Sequence, residues 1–392
     1  MSIENISSVK YLSKQKYSEF AGISETKIKQ LIDEGKLPHF QSTKKYYIPS
    51  CLKDTLELVE AKQELSPGCI VLSIGNHKGG VLKTTNTQNI SATLAFYGYK
   101  VLLIDADPQG NATKGFGIFQ NQYDLVKNNT IQLMLNIKED LSDSEFEKNI
   151  RDSIVNVERP EITGTLDILP NDPKMIDKIR YLDDLANTED SLEYILSFIK
   201  NDYDFIIIDT PPRTDTILRT CLMASDYFII SLKPEPYSSI GVPDVFAPIK
   251  AISRTYRMRK NKDLFVLGGI VGDIGTSSLH KAIIEQDNLN LMQITNNTAK
   301  VFDTQISHYE KVGESQLGLG AMIFTDFKHD STKAYMLLTN EIVTKIWGGV
   351  PIRLVDTAGW ENLSVQKLDD KEMKSKMLDQ TAQALIYSDL GF

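Results

Sequence analysis

The sequence predicts an α/β protein with a doubly wound, mostly parallel sheet and a small N-terminal domain. From Cys69 onward, apolar runs recur without polar alternation, and amphipathic helical stretches separate them. Such runs are typical of strands that helices cover on both faces of a parallel sheet. Before residue 50 the pattern is short helices and a basic hairpin, which indicates a separate unit. The apolar runs are CIVLSIG, KVLLIDAD, TLDILP, DFIIIDTPP, YFIISLKP and FVLGGIVGD.

Composition and turn signals divide the chain into four segments. The N-terminal domain is predicted over residues 1–50, and a charged, helical linker that can also serve as a dimerisation element follows over residues 51–68. This linker ends at the turn sequence SPG. The main α/β domain is predicted over residues 69–350, and a helical tail over residues 351–392.

Length and charge limit the classes of function. A chain of 392 residues is long enough for one large and one small domain with a sizeable buried core. Its net charge of −9 means that any contact with DNA must come from local basic patches. Cys51, Cys69 and Cys221 lie too far apart for a metal-binding pair. No apolar run reaches the roughly 20 residues that span a bilayer, and the first residues do not resemble a signal peptide, so we expect a cytoplasmic protein.

A strand, a glycine-rich loop and a helix follow one another around NHKGGVLKTT, residues 76–85. In this order, backbone N–H groups and a helix N-terminus converge on an anion, as a nucleoside triphosphate requires. Lys83 is expected to reach the β- and γ-phosphates, and Thr84 to bind Mg²⁺. The residues predicted to contact the nucleotide are Lys78, Gly79, Gly80, Val81, Leu82, Lys83, Thr84 and Thr85.

Leu82 stands where the common phosphate loop has a glycine, but a second lysine, Lys78, completes the pattern K-G-G-x-x-K-[ST]. In this motif the sequence resembles the ParA/MinD superfamily of deviant Walker ATPases, and more closely the ParA proteins that partition plasmids and chromosomes. The resemblance implies that Lys78 reaches the partner's phosphates in a nucleotide-bound homodimer and that Leu82 is tolerated. A lysine-bearing turn without nucleotide is the alternative.

Two acidic motifs follow the phosphate loop. VLLIDADPQGNAT places Asp105 and Asp107 at a strand end, where ligands of open α/β sheets bind. The resemblance implies that Asp107 orients the attacking water and that Asp105 supports Mg²⁺ through water. YDFIIIDTPP ends in Asp209, which matches a Walker B carboxylate holding Mg²⁺ through water. For any one of these aspartates taken alone, the alternative is a strand-end residue that only caps a turn.

The likeness covers roughly residues 69–347 and implies a function. It implies a slow ATPase, with ATP and Mg²⁺, whose ATP-bound dimer binds DNA non-specifically and whose hydrolysis a ParB-like centromere-binding protein stimulates. Base recognition in this family comes from the loop after a late strand, here around residues 306–308.

The N-terminal domain carries a second resemblance. Tyr17–Pro49 contains a helix, a turn at Gly22, a second helix capped by Ser24, and a hairpin. It resembles the winged helix-turn-helix of MerR regulators and excisionases, whose second helix enters the major groove. Residues 1–53 carry nine lysines against five acidic residues, a net charge of +4. The predicted DNA contacts are Lys27, Lys29, Lys44 and Lys45, and the predicted core residues are Phe20, Ala21, Ile23, Ile28, Leu31 and Ile32.

In partition ATPases an extension of this kind implies operator binding and autorepression. A small protein-binding module with a solvated lysine face is the alternative. A second basic run, residues 249–262, has six basic residues and no acidic one, which favours salt-sensitive contacts with DNA phosphates. A solvated helix end is the alternative there. Its candidate DNA contacts are Arg254, Arg257, Arg259 and Lys260.

Two other functions remain open at this point. A MerR-like transcription regulator would use nucleotide only to set its dimer state. A MinD-like ATPase would bind membrane through its C-terminal tail, but the apolar stripe of the tail is irregular, and its acidic residues oppose anionic lipid. We therefore expect a cytoplasmic, nucleoid-associated protein that does not bind membranes.

Overall fold

Two sheets and the helices around them make up the described part of the chain. The structure is a computed structural model. The predicted tail and all of the predicted linker except Gly68 lie outside the described residues. The described residues are 11–34, 37–42, 45–49, 68–119, 129–137, 141–183, 188–212, 216–235, 256, 258, 264–275, 277–295, 297–308, 312 and 320–346.

The elements of these residues alternate between strand and helix after Gly68. The strands are β1 (Tyr11–Leu12), β2 (Phe40–Ser42), β3 (Lys45–Pro49), β4 (Ile70–Gly75), β5 (Lys100–Asp105), β6 (Val155–Asn156), β7 (Thr165–Leu169), β8 (Phe205–Asp209), β9 (Tyr227–Leu232) and β10 (Phe265–Val271). The α-helices are α1 (Lys14–Ala21), α2 (Glu25–Asp33), α3 (Lys83–Phe96), α4 (Asn111–Gly115), α5 (Thr130–Asn136), α6 (Asp143–Ser153), α7 (Ile179–Asp183), α8 (Ser191–Ile199), α9 (Thr216–Ala224), α10 (Ser278–Ile294), α11 (Met322–Thr325) and α12 (Asp330–Ile346). Short 3₁₀ turns occupy Pro173–Lys178, Thr188–Asp190 and Lys200–Asp202.

Within the described residues, the large sheet has seven strands in the order β10-β9-β4-β8-β5-β7-β6. Neighbouring strands run parallel except β6, which is antiparallel to β7. Every residue of β4 and β8 is buried, as the continuous apolar runs predict. The predicted doubly wound, mostly parallel α/β fold is therefore confirmed. The sequence did not predict β6, which is only two residues long.

Helices cover this sheet and complete its core. One apolar cluster joins β4, β5, β7 and β8 to helices α5 to α9. Another joins β9 and β10 to α9 and α10. Beyond β10, parallel bridges from Gly269 to Val301 and from Ile274 to Ser307 extend the backbone pairing outward. None of the described helices is both long and apolar enough to cross a bilayer.

The N-terminal residues form two helices and a three-stranded antiparallel sheet in the order β1-β3-β2. Gly22 ends α1 in the left-handed conformation at φ 71°, and the Ser24 side chain caps α2, both as predicted. Ile28, Leu31 and Ile32 are buried, but the prediction that Phe20 is a core residue was wrong. Phe20 is 39% exposed, because Tyr17 faces inward from α1 instead.

An aromatic stack joins the N-terminal sheet to the main domain. Phe40 of β2 lies between Phe96, the last residue of α3, and Phe327. Its ring centroid is 4.9 Å from that of Phe96 and 4.2 Å from that of Phe327, with interplanar angles of 18° and 13°. Tyr11 packs edge-on against both Phe40 and Phe327. The N-terminal sheet therefore packs directly on the end of α3. Stacked aromatic rings stabilise such a contact by more than the burial of their apolar area.

Candidate nucleotide-binding site

The predicted phosphate loop lies between β4 and α3 at the carboxyl edge of the sheet. Asn76 shapes its start: its Oδ1 accepts a 3.0 Å hydrogen bond from the Lys78 backbone N–H. The Asn76 amide Nδ2 donates to the Ser231 carbonyl oxygen over 2.7 Å, which ties the loop to β9. Gly80 has a positive φ of 73°, a conformation that glycine adopts without steric cost. The loop is therefore fixed at both its first residue and its turn.

Leu82 occupies the glycine position of the common loop in an unfavourable backbone conformation. Its φ is 62° and its ψ is 21°, the left-handed region, which costs a non-glycine residue roughly 1–2 kcal/mol. The side chain lies over Gly272, just after β10: a Cβ built on Gly272 would lie 2.6 Å from Leu82 Cδ1. The absence of a side chain on Gly272 thus makes room for Leu82, and this packing offsets the backbone strain.

Lys83, the first residue of α3, points back into the loop. Its Nζ donates a 2.8 Å hydrogen bond to the Lys78 carbonyl oxygen. The side chain is buried, and burial lowers the pKa of its ammonium group. A buried ammonium at the centre of a phosphate loop is arranged to meet an anion.

Thr84 and Asp209 bring two sequence motifs together. Thr84 Oγ1 donates a 2.7 Å hydrogen bond to Asp209 Oδ2, at the end of β8. Thr87 Oγ1 lies 3.2 Å from Asp209 Oδ1. Asp209 is fully buried, and burial, with the nearby Asp105 carboxylate, raises its pKa well above the ordinary value. A carboxylate this costly to ionise is suited to a cation at the same place.

Asp105 ends β5 directly beside Asp209, its registered partner on β8. Its Oδ2 accepts hydrogen bonds from the Thr113 backbone N–H and hydroxyl, at 2.8 and 2.6 Å. Its other oxygen, Oδ1, is buried, and the Asp107 backbone N–H also favours the ionised carboxylate. Burial is the main cause that raises the Asp105 pKa to about 7. A buried carboxylate beside Asp209 fits a water ligand of a metal ion.

Asp107 lies two residues further on, and its side chain is hydrogen-bonded. Its Oδ1 accepts a 2.9 Å hydrogen bond from the Gln109 backbone N–H, and Asn171 Nδ2 donates to its carbonyl oxygen over 3.2 Å. Nowhere among the described residues do three acidic, histidine or cysteine side chains converge on one point that could hold a metal. A cation here would therefore depend on Thr84, Asp209, water and phosphate oxygens, which is how proteins usually hold Mg²⁺.

Comparisons with known proteins agree with this geometry. The AAA domain family model matches residues 69–265, half of the chain. Soj, the sporulation initiation inhibitor protein of Bacillus subtilis, is 27% identical over 273 residues, covering 69% of this chain and 97% of Soj. A ParA family protein of Chlamydia pneumoniae is 33% identical over 186 residues, covering 46% of this chain and 66% of that protein. The chain belongs to the AAA domain family, among its ParA-type ATPases.

A solved structure gives the same fold. An McdA variant from Cyanothece, in complex with ATP, superposes with a TM-score of 0.57 at 18% identity, over 70% of this chain and 96% of that one. At this identity the likeness concerns the fold alone. The described part of the chain therefore has the same overall fold as that structure.

Polar side chains that the sequence did not single out fix α3 of this ParA-type ATPase. The helix is buried at every residue except Thr84. Asn86 Nδ2 donates to Ser231 Oγ over 2.8 Å, and its Oδ1 accepts from Tyr335 Oη over 2.9 Å. Asn89 Oδ1 accepts from the Met322 backbone N–H over 2.8 Å. These bonds satisfy buried amides, which would otherwise be costly, and hold the phosphate loop in place.

Glu235 is a second residue that sequence reasoning missed. It lies three residues after β9, and its Oε2 accepts a 2.6 Å hydrogen bond from Lys78 Nζ. Hydrogen bonds from Lys78 and Lys233 lower the Glu235 pKa. The sequence does contain a signal for it: the charged residues in SLKPEP lie at the carboxyl end of a buried strand, the edge of the sheet where ligands bind.

The residues predicted to contact DNA or the nucleotide base are only partly described by the structure. Lys27 and Lys29 are exposed on α2. Lys45 belongs to β3, but its side chain is not described, and Lys44, Arg254, Arg257, Arg259 and Lys260 lie outside the described residues. At the predicted base-recognition loop, Ile306 is buried and His308 pairs with Asp273. The DNA and base contacts therefore stay predictions.

Proposed function

We propose that the protein is an ATP-dependent DNA-partition protein, a slow Mg²⁺-dependent ATPase that acts as a homodimer. The observation that carries this proposal is the hydrogen bond between Thr84 and Asp209, because it joins the loop hydroxyl and the strand-end carboxylate with which P-loop ATPases hold their metal. The chromosome partitioning protein ParA of Caulobacter vibrioides, a relative that is 26% identical over 283 residues, supports the biological role.

The phosphate loop is proposed to bind ATP. Backbone N–H groups of residues 79–85 and the N-terminus of α3 face the phosphates, and Lys83 neutralises the β- and γ-oxygens. Thr84 would ligate Mg²⁺ directly, and Asp209 and Asp105 would do so through water. When bound, Mg²⁺ draws negative charge from the phosphate oxygens and lowers the barrier to their displacement.

Hydrolysis is proposed to proceed by in-line attack of water on the γ-phosphate. Asp107 places that water, and its fixed side chain suits this role because the oriented carboxylate does not have to be ordered during the reaction. Lys83 stabilises charge on its own nucleotide, and Lys78 stabilises charge on the nucleotide of the partner subunit. Turnover then requires a dimer, which makes the protein a switch.

Two surfaces are proposed to bind DNA. The run with Arg254, Arg257, Arg259 and Lys260 would contact DNA phosphates without sequence preference when ATP has closed the dimer. The N-terminal domain, with Lys27 and Lys29 exposed on α2, would bind operator DNA as a winged helix-turn-helix and repress its own operon. A ParB-like centromere-binding protein would stimulate hydrolysis. The protein would act in the cytoplasm, on the nucleoid.

The test is fluorescence anisotropy of the full chain on random-sequence duplex DNA, with ATP and Mg²⁺, with ADP, and without nucleotide. Binding that appears only with ATP supports the proposal. The same titration with Lys83→Gln should show none, because the variant lacks the buried ammonium that meets the phosphates. Equal binding in all three states would favour a MerR-like regulator instead. No binding in any state would favour a membrane function, which flotation with anionic vesicles would then detect.

A further inference from the structure

Lys78 is held by its own protomer. Its Nζ lies 2.6 Å from Glu235 Oε2, and both side chains are partly exposed, at 35% and 40%. In the proposed function this same ammonium group serves the nucleotide of a second copy. One ammonium cannot keep its contact with Glu235 and also bind a distant phosphate, so the proposed function requires Lys78 to leave Glu235.

The Lys78–Glu235 pair belongs to a longer chain of charges. Lys233 Nζ lies 3.1 Å from Glu235 Oε1 and 2.6 Å from Asp273 Oδ2. His308 Nδ1 pairs with the other oxygen of Asp273. Each carboxylate therefore has a basic side chain on each of its oxygens. Networks of this kind hold their members in place better than isolated surface pairs do.

The backbone around this network is strained at two points. Asp273 adopts a left-handed conformation with φ 59°, as does Leu82 with φ 62°. Between them lies Gly272, on which the Leu82 side chain packs. Non-glycine residues in this region are uncommon and cluster at functional sites, where the surrounding structure maintains the strain. The phosphate loop and the Asp273 end of the network are thus fixed against each other.

We propose that Glu235 is a positioning residue that keeps Lys78 on its own protomer until an ATP-loaded second copy withdraws it. The proposal rests on the proposed function, in which Lys78 acts across the dimer. Lys233 makes the release possible: it stays on Glu235 after Lys78 departs, so no carboxylate is left without a cation. Asp273 and His308 keep Lys233 in place. The pair therefore delays dimer formation without disabling it.

Two variants that each remove one charge from this network should change ATP-dependent dimerisation in opposite directions. Glu235→Gln removes the competing charge, so the ATP-dependent dimer should form at a protein concentration roughly threefold to tenfold lower than for the unmodified protein. Lys233→Gln should weaken the dimer by a similar factor, because the Lys233 ammonium would no longer neutralise Glu235 when Lys78 leaves. In the double variant the effect of Lys233→Gln should vanish. General damage to the site would lower dimerisation in every variant.

The experiment is sedimentation velocity of the full chain with ATP and Mg²⁺ in the Asp107→Ala background, in which we expect hydrolysis to be slow. Glu147→Gln is the matched control, since Glu147 forms an exposed ion pair with Arg151 on α6, far along the chain from the network. The Glu147→Gln variant should leave the dissociation constant of the dimer unchanged. The effect of Glu235→Gln should also shrink as salt is raised, because the removed interaction lies near the surface.

Unchanged or weaker dimerisation of Glu235→Gln, with the background protein dimerising normally, would overturn the inference. An effect of Glu235→Gln that persists when Lys78 is also replaced by alanine would overturn it too. Failure of the background protein itself to dimerise with ATP would instead refute the proposed function on which the inference rests. Binding of a fluorescent ADP analogue to each variant verifies that its site is folded.

Discussion

Thr84 and Asp209 are 125 residues apart in the chain, and their side chains form a 2.7 Å hydrogen bond. Parallel pairing of β4 and β8 produces this contact, because it brings Gly75, just before the phosphate loop, and Asp209 to the same edge of the sheet. The Thr84 hydroxyl donates to one oxygen of this buried carboxylate, and the nearby Lys83 ammonium favours its ionised form. In the proposed function, the pair shares a metal ion.

Asp209→Asn keeps the size of this side chain and removes its charge. We expect the Mg²⁺-dependent part of nucleotide affinity to fall about 10–100-fold, the usual effect of losing an outer ligand. Nucleotide affinity in the presence of EDTA should not fall, because the variant removes a buried negative charge that would repel the phosphates. Titration with a fluorescent ATP analogue measures both. Asp143→Asn, an exposed site on α6, is the control; an equal loss with and without Mg²⁺ would contradict the metal role.

Asp107→Ala should trap an ATP-bound state that remains on DNA. The variant retains Lys83, Thr84 and Asp209 and should still bind nucleotide, but it lacks the carboxylate that is proposed to orient the water. We expect ATP-dependent anisotropy on random DNA to persist, while phosphate release falls at least 100-fold. Phosphate release at the unmodified rate would show that Asp107 only supports the turn at Gln109.

Gly272→Ala should disturb the phosphate loop from outside it. A Cβ there would lie 2.6 Å from Leu82 Cδ1, so the leucine must move off its packing site. We expect a loss of about 1–3 kcal/mol in the free energy of unfolding, read from urea denaturation, and weaker nucleotide binding. Adding Leu82→Gly should restore both, because glycine has no side chain to displace and adopts φ 62° freely. If the double variant is worse than Gly272→Ala, the contact does not explain the effect.

Lys27→Glu combined with Lys29→Glu should separate two kinds of DNA binding. Both side chains are exposed on α2, so reversing their charge should leave the fold intact. We expect at least tenfold weaker binding to the DNA upstream of the protein's own coding sequence, and unchanged ATP-dependent binding to random DNA. Electrophoretic mobility shift measures the first and anisotropy the second. Lys148→Glu, an exposed site on α6, serves as the control, and equal losses on both DNAs would contradict a separate operator surface.

Asp287 should make stability depend on pH. Its two carboxylate oxygens are buried on α10 and accept no hydrogen bond in the structure, and burial raises its pKa from the ordinary 3.8 to about 6. The folded state thus holds a proton that the unfolded chain has already lost, so the contribution of this group falls as pH rises from about 4 to 6 and stays low above that.

Asp287→Asn removes this titration. Relative to the unmodified protein, the variant should gain roughly 1–3 kcal/mol between pH 4 and pH 7, an estimate reduced for partial access of solvent. Unfolding in urea at a series of pH values gives the difference curve. Parallel curves for the two proteins would mean that folding does not raise the pKa of Asp287.

The sequence indicated most of the sheet and the centre of the site, because both depend on local signals. Continuous apolar runs marked the buried strands, and aspartates after them marked the edge at which Asp105 and Asp209 meet. Contacts between distant segments carry no such signal. The bond from Tyr335 to Asn86, the pair of Lys78 with Glu235, and the packing of Leu82 on Gly272 each depend on how separate segments meet in space. Phe20 was misplaced because a short helix offers more than one apolar face.

Because Phe40 stacks between Phe96 and Phe327, α3 contacts the N-terminal sheet at its last residue. The helix begins at Lys83 in the phosphate loop and ends at Phe96 under the N-terminal sheet, 14 residues later, a rod of about 21 Å. One continuous helix thus spans the distance between the phosphate loop and the N-terminal sheet.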